Sequence, residues 1–126
     1  TDRPLVGRRE KEIPLVDVAS MLRSFHYAAE VPLEEAAEGR GRDLAYLRAA
    51  VDEWLNLVGA SFADSYHQAA SSIPGLHLEL GDFELAVCAL AIDKAVRELA
   101  FQILHRPGWI HIPLRGLLRL LGTARD

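Results

Sequence analysis

Only one cysteine occurs in this chain, Cys88, and no stretch is rich in lysine or arginine. The lone thiol excludes an internal disulfide and fits a reducing compartment. With no basic run and a formal charge of −4 over 126 residues, nothing supplies the electrostatic footprint of a nucleic-acid binder. Isolated pairs such as Arg8-Arg9 do not alter that. Long apolar runs are missing too. The most apolar segment, residues 85–92, is too short to span a bilayer and runs straight into Asp93, Lys94, Arg97 and Glu98. No signal peptide is visible. The chain is therefore expected to be soluble and cytoplasmic, with neither nucleic acid nor membrane as partner.

Ligand and nucleophile motifs are equally scarce. The histidines (His26, His67, His77, His105, His111) show no His-x-x-x-His or Glu-x-x-His spacing, so no metal site is expected. There is no Gly-x-Ser-x-Gly elbow. "GRGR" at residues 39–42 lacks the Lys-Ser/Thr ending of a phosphate loop and no strand precedes it, so it reads as a solvated loop. Cys88 reads as a small buried hydrophobe within an apolar helix.

What is present is helical periodicity. Half of the residues are hydrophobic and a quarter are charged, the composition of one globular domain. The spacing predicts an extended lead-in over 1–12 and then four helices, at 13–30, 43–70, 82–105 and 113–121. In the first, Leu15, Val18, Leu22, Phe25 and Ala29 form the buried stripe, widened by Met21, with Pro14 in the first turn. Pro32 and "AEGRGRD" mark a loop. The second helix carries a seam of Leu44, Leu47, Val51, Trp54, Val58, Phe62, Tyr66 and Ala69. "LHLEL" reads as an extended linker rather than a strand, since no partner strand is evident. Asp82 is expected to cap the third helix, which is apolar nearly all round in its first half and stops before Pro107. Pro113 opens the last helix. The fold class is all-α, four main helices.

The charged half of the third helix, "DKAVRELAFQILHRPGW", carries the most information about function. Asp93 with Arg97, and Lys94 with Glu98, are four apart and can form helix-surface ion pairs. Phe101, Gln102, Arg106 and Trp109 follow. Charged, amide and aromatic groups together suit a sugar, whose hydroxyls take hydrogen bonds and whose C–H faces stack on rings. Asp17 sits in the first turn of the first predicted helix, where a carboxylate complements the helix dipole. It lies beside Met21, Ser24 and Ala28, where small neighbours leave room for another backbone whose N–H groups it would accept.

Three segments carry a resemblance: "PLVDVASMLRSFHYAA", a tryptophan followed by "FADSY", and "IDKAVRELAFQILHRPGWIHIPLRGLLRLL". In order and spacing they resemble the C-terminal part of bacterial maltokinases, ATP-dependent sugar kinases of the aminoglycoside-phosphotransferase, protein-kinase-like superfamily, some of them fused to trehalose synthase. The resemblance implies that the four helices form the C-terminal helical subdomain of a kinase-like C-lobe. It also implies that the nucleotide lobe, the catalytic His-Gly-Asp loop and the metal-binding Asp-Phe-Glu segment come earlier, with residues 1–9 just after them. Such a chain would hold no catalytic residue and no metal ligand, and would be inactive alone. ATP and Mg²⁺ would serve the parent kinase, and the partner would be the missing N-terminal kinase portion, in the same or a separate chain, with trehalose synthase as a further one.

Asp17 then matches an aspartate that braces the catalytic loop. The sugar acceptor would lie against Asp93, Lys94, Arg97, Glu98, Phe101, Gln102, Arg106 and Trp109. The family often shows "YE-x-x-YE" where this chain has Arg97, Glu98, Phe101 and Gln102. Only Glu98 is kept, and single hydrogen bonds decide which sugar such a site accepts. The implied reaction is maltose with ATP to maltose 1-phosphate and ADP. The same fold acting on another sugar, such as glucosamine, is the first alternative, and a non-catalytic helical interaction module is the second.

Overall fold

The computed structural model describes residues 3–37 and 44–125, and among them every regular element is helical. Helix α1 spans Arg3–Ala37, α2 Leu44–Ser71, α3 Leu80–His105 and α4 His111–Arg125, with one 3-10 turn, Pro107–Trp109, before α4. Helix α1 is the hub: it packs against α2, α3 and α4, and α3 packs in addition against α4.

The all-α expectation holds, but several boundaries move. Residues 3–12, expected to be extended, are the first turns of α1. "RREKE" consists of strong helix formers, and their propensity carries the helix up to Pro14. Nor does α1 stop before Pro32. An interior proline costs about 3 kcal/mol in a helix. Here the helix is anchored on both sides of it, by Glu30 at 2% exposure and Leu33 at 5%. The glycine-rich loop predicted after it falls on residues 38–43, outside the described residues. Helix α3 begins earlier than expected. Glu79 is its N-cap residue and Asp82 lies in its first turn, where its charge still suits the helix N-terminus. The linker before it, residues 76–79, is irregular as expected.

The core is built where α1, α2 and α3 meet. Leu15, Val18, Phe83 and Val87 are buried together, with Leu22, Phe62, Tyr66, Leu78 and Leu90 around them. Phe25 joins α1 to α2 through edge contacts with Trp54 and Phe62, at 6.4 and 5.6 Å between ring centroids. Along α3, Ala91 and Ala95 are sealed, as is Ala19 on α1, and such small residues let helix backbones approach closely.

Met21 does not widen the buried stripe of α1; it is half exposed. In α2 the wheel turns by one residue: Leu55 is buried and Trp54 sits at the rim. The first half of α3 is apolar all round in sequence but buried on one side only, leaving Leu80 and Leu85 exposed. Composition alone does not reveal that a helix has neighbours on one side and none on the other.

Candidate functional site

A groove of about 700 Å³ runs between α1 and α3. Asp93, Lys94, Arg97, Glu98, Phe101, Gln102 and Arg106 line it from α3, and Val16, Ala19, Ser20 and Tyr27 from α1. Residues at three- and four-residue spacing on one helix share a face by geometry alone. The structure adds the opposing wall and the bonds that tie it to α3. Trp109 does not line the groove but packs at its end, stacked on Tyr27 at 6.5 Å and under the guanidinium of Arg106 at 4.4 Å.

The first of these ties is an ion pair. Arg23 on α1, 4% exposed, donates from Nε and Nη2 to Glu98 Oε2 at 3.0 and 2.7 Å. Glu98 therefore pairs with Arg23 and not with Lys94, as the i, i+4 spacing had suggested. Lys94 instead donates from Nζ to Ser20 Oγ at 3.0 Å. The Asp93–Arg97 pair does form, at 3.1 Å, on the exposed helix surface. Gln102 is 2% exposed and both ends of its amide are used. Its Nε2 donates to the Tyr27 hydroxyl at 3.2 Å, and its Oε1 accepts from Arg106 Nε at 3.1 Å.

Behind the groove the polar chain continues inward. Arg23 Nη1 stands 3.0 Å from His26 Nδ1. A guanidinium only donates, so Nδ1 is the acceptor and the ring proton sits on Nε2. That atom is buried with no well-formed hydrogen bond, 3.4 Å from Glu30 Oε1. Glu30 is held instead by a two-pronged contact from Arg48 of α2, Nη1 to Oε1 and Nη2 to Oε2, the latter at 2.9 Å. Burial alone would push the Glu30 carboxyl up. The facing His26 and the Arg48 fork outweigh it and bring it down to about 2.

Asp17 lies apart from all this. Because α1 begins at Arg3, Asp17 is not in a first turn and does not complement a helix N-terminus. It is exposed, and no described residue donates a hydrogen bond to it. Its charge acts on Tyr66 of α2. Burial, and after it the charge of Asp17, pushes that hydroxyl above its ordinary range.

Sequence reasoning missed Ser20, Arg23 and Tyr27. Their signal was there: they recur at steps of three and four, as a polar stripe beside the apolar one of α1. A second cavity, of about 420 Å³, lies between α1, α2 and α4, with mostly apolar walls and Arg119 at its rim. Arg119 ties α4 to Asp52 and Asn56 of α2 at 3.3 and 2.7 Å.

Among the described residues no three His, Cys, Asp or Glu side chains come together in a way that could hold a metal ion. None of the described helices is long and apolar enough to cross a membrane. Neither a family model nor a solved structure matches this chain.

Proposed function

We propose that this chain is the acceptor-side helical part of a maltokinase-like sugar kinase, and that the α1–α3 groove holds the acceptor sugar. One observation carries the reading. The charged, amide and aromatic residues singled out on α3 line a single groove whose other wall, from α1, supplies a serine and a tyrosine hydroxyl. Such a wall offers the mixed donors, acceptors and ring faces that sugars require. Within it the roles divide. Glu98 and Gln102 are bonded internally and shape the wall. Arg97, Asp93, Phe101 and Arg106 keep exposed groups for a ligand. Phosphoryl transfer itself would belong to the catalytic and nucleotide-binding segments of the parent kinase, which this sequence does not contain. Those segments would bring ATP and Mg²⁺.

Ligand-observed NMR with maltose and with glucosamine tests the reading, beside an ADP-release assay. One of the two sugars should bind saturably, and Arg97→Ala should weaken it several-fold. That residue is a clean choice, since among the described residues it pairs with the exposed Asp93 alone. No ADP should be released. Failure of both sugars to bind would overturn maltose and glucosamine as acceptors, and ADP release by the pure chain would overturn the proposal.

A specific observation favours the interaction-module reading as well. Leu85, Leu104 and Leu118 are 69, 77 and 72% exposed. Apolar side chains left open to solvent are what a covering protein segment would use if they join into one patch. In the kinase reading that segment is the N-terminal kinase portion.

A further inference from the structure

Arg106 is the most firmly prepared donor in the groove. Its Nε is fixed to Gln102 Oε1, and Gln102 is nearly sealed and fixed in turn to the Tyr27 hydroxyl. Its guanidinium lies over the Trp109 ring at 4.4 Å and near the Phe101 ring at 5.7 Å. Yet neither Nη atom has an acceptor among the described residues, and no carboxylate there pairs with it. A guanidinium fixed at Nε and seated over an aromatic ring, with no acceptor at either Nη among the described residues, is a donor fork shaped for a phosphate or carboxylate group.

The charge of the groove points the same way. Arg97 matches Asp93 and Arg23 matches Glu98. Among the described residues Lys94 bonds a neutral hydroxyl and Arg106 a neutral amide, and neither pairs with a carboxylate. Two cations are therefore left over, in a chain whose net charge is −4. They stand about 18 Å apart along α3, at 1.5 Å per residue. One oxyanion can touch only one of them, and the fork at Arg106 is the better built.

We propose that the Arg106 end of the groove binds the oxyanion of an acidic sugar, a phosphate ester or a carboxylate, beside the exposed face of Phe101. The inference rests on the sugar reading of the groove and changes the sugar from neutral to anionic.

Calorimetric titration of the chain with glucose, maltose, glucose 6-phosphate, glucuronate and inorganic phosphate tests it. At low salt at least one acidic sugar should bind ten-fold or more tightly than the neutral ones. Which of the two acids binds identifies the oxyanion. Arg106→Gln should erase the preference, and Arg106→Lys, which keeps the charge without the fork, should restore only part of it. Arg106 is exposed, so both variants should keep the wild-type helical signal. Neutral sugars binding as tightly as acidic ones would overturn the oxyanion subsite and leave the sugar reading standing. So would a preference for acidic sugars that survives Arg106→Gln. Inorganic phosphate binding as tightly as the acidic sugars would overturn the sugar reading, and no binding by any compound would overturn both.

Discussion

The guanidinium of Arg23 occupies the space in which any side chain at Gly116 would begin. A Cβ added at Gly116 would stand 2.2 Å from Arg23 Nη1 and 2.8 Å from Cζ. The glycine of α4 thus lets a buried cation from α1 pass over the helix and close on Glu98 of α3. Three helices are joined at this point by one ion pair and one missing methyl group.

Gly116→Ala should therefore destabilise the chain, although alanine is the better helix former by about 1 kcal/mol. The arginine tip can move, but only by giving up Glu98 and His26, and disrupting a buried ion pair costs about 3–5 kcal/mol. A net loss of about 2–4 kcal/mol is expected in urea unfolding. In an Arg23→Ala background the same substitution should turn stabilising. If Gly116→Ala has the same sign in both backgrounds, the steric link is wrong.

Glu30 should make stability depend on pH in the acid range. Its carboxyl titrates at about 2 in the folded chain against 4.5 as the ordinary value. A lowered folded value means stability that is fully present above pH 4.5 and lost as pH falls from there through 2. The difference corresponds to about 3 kcal/mol. Unfolding free energies measured from pH 6 to pH 2 should drop by that order in the wild type. The drop should be much smaller in Glu30→Gln, which begins less stable at pH 6. Parallel curves for the two proteins would remove Glu30 as the source.

How much of this could be seen in the sequence follows from what period and spacing encode. The apolar stripe Leu15, Val18, Leu22, Phe25 gave the contact face of α1, because burial needs only a neighbour, whichever helix it is. The α3 face of the groove was legible for the same reason. Its partners were not. Lys94 and Glu98 have ideal local spacing, yet each reaches across to α1, to Ser20 and Arg23. Tertiary partners some 75 residues away outcompete an exposed local pair worth only about 0.3–0.5 kcal/mol. Asp17 was misplaced because the start of α1 was, and a helix start set by propensity in "RREKE" leaves no apolar periodicity to read.

Cys88 should be a sluggish thiol. Burial pushes its ionisation up, and Sγ lies 3.7 Å from the Leu120 carbonyl, at the α3–α4 contact. Since the thiolate is the reactive form, labelling by a disulfide reagent at pH 8 should be at least about ten-fold slower than in urea. Equal rates in native and unfolded protein would show that the α3–α4 contact does not shield it.

Phe83 and Leu85 separate the two sides of the α3 N-terminal half. They are two positions apart, both large and apolar, and indistinguishable by composition. Phe83 is 2% exposed, stacked on Tyr66 at 6.1 Å and close to the His67 ring at 5.0 Å. His67 in turn bonds the Leu78 carbonyl at 2.8 Å, which ties the linker to α2. Phe83→Ala should therefore empty the core at the point where α1, α2, α3 and the linker converge, at a cost of about 3–5 kcal/mol. Leu85 is 69% exposed, and Leu85→Ala should stay within about 0.5 kcal/mol. It should also lower binding of a hydrophobic dye, since an exposed apolar side chain is removed. A cost at Leu85 close to that at Phe83 would mean that another chain or segment covers the outer side of α3 in solution.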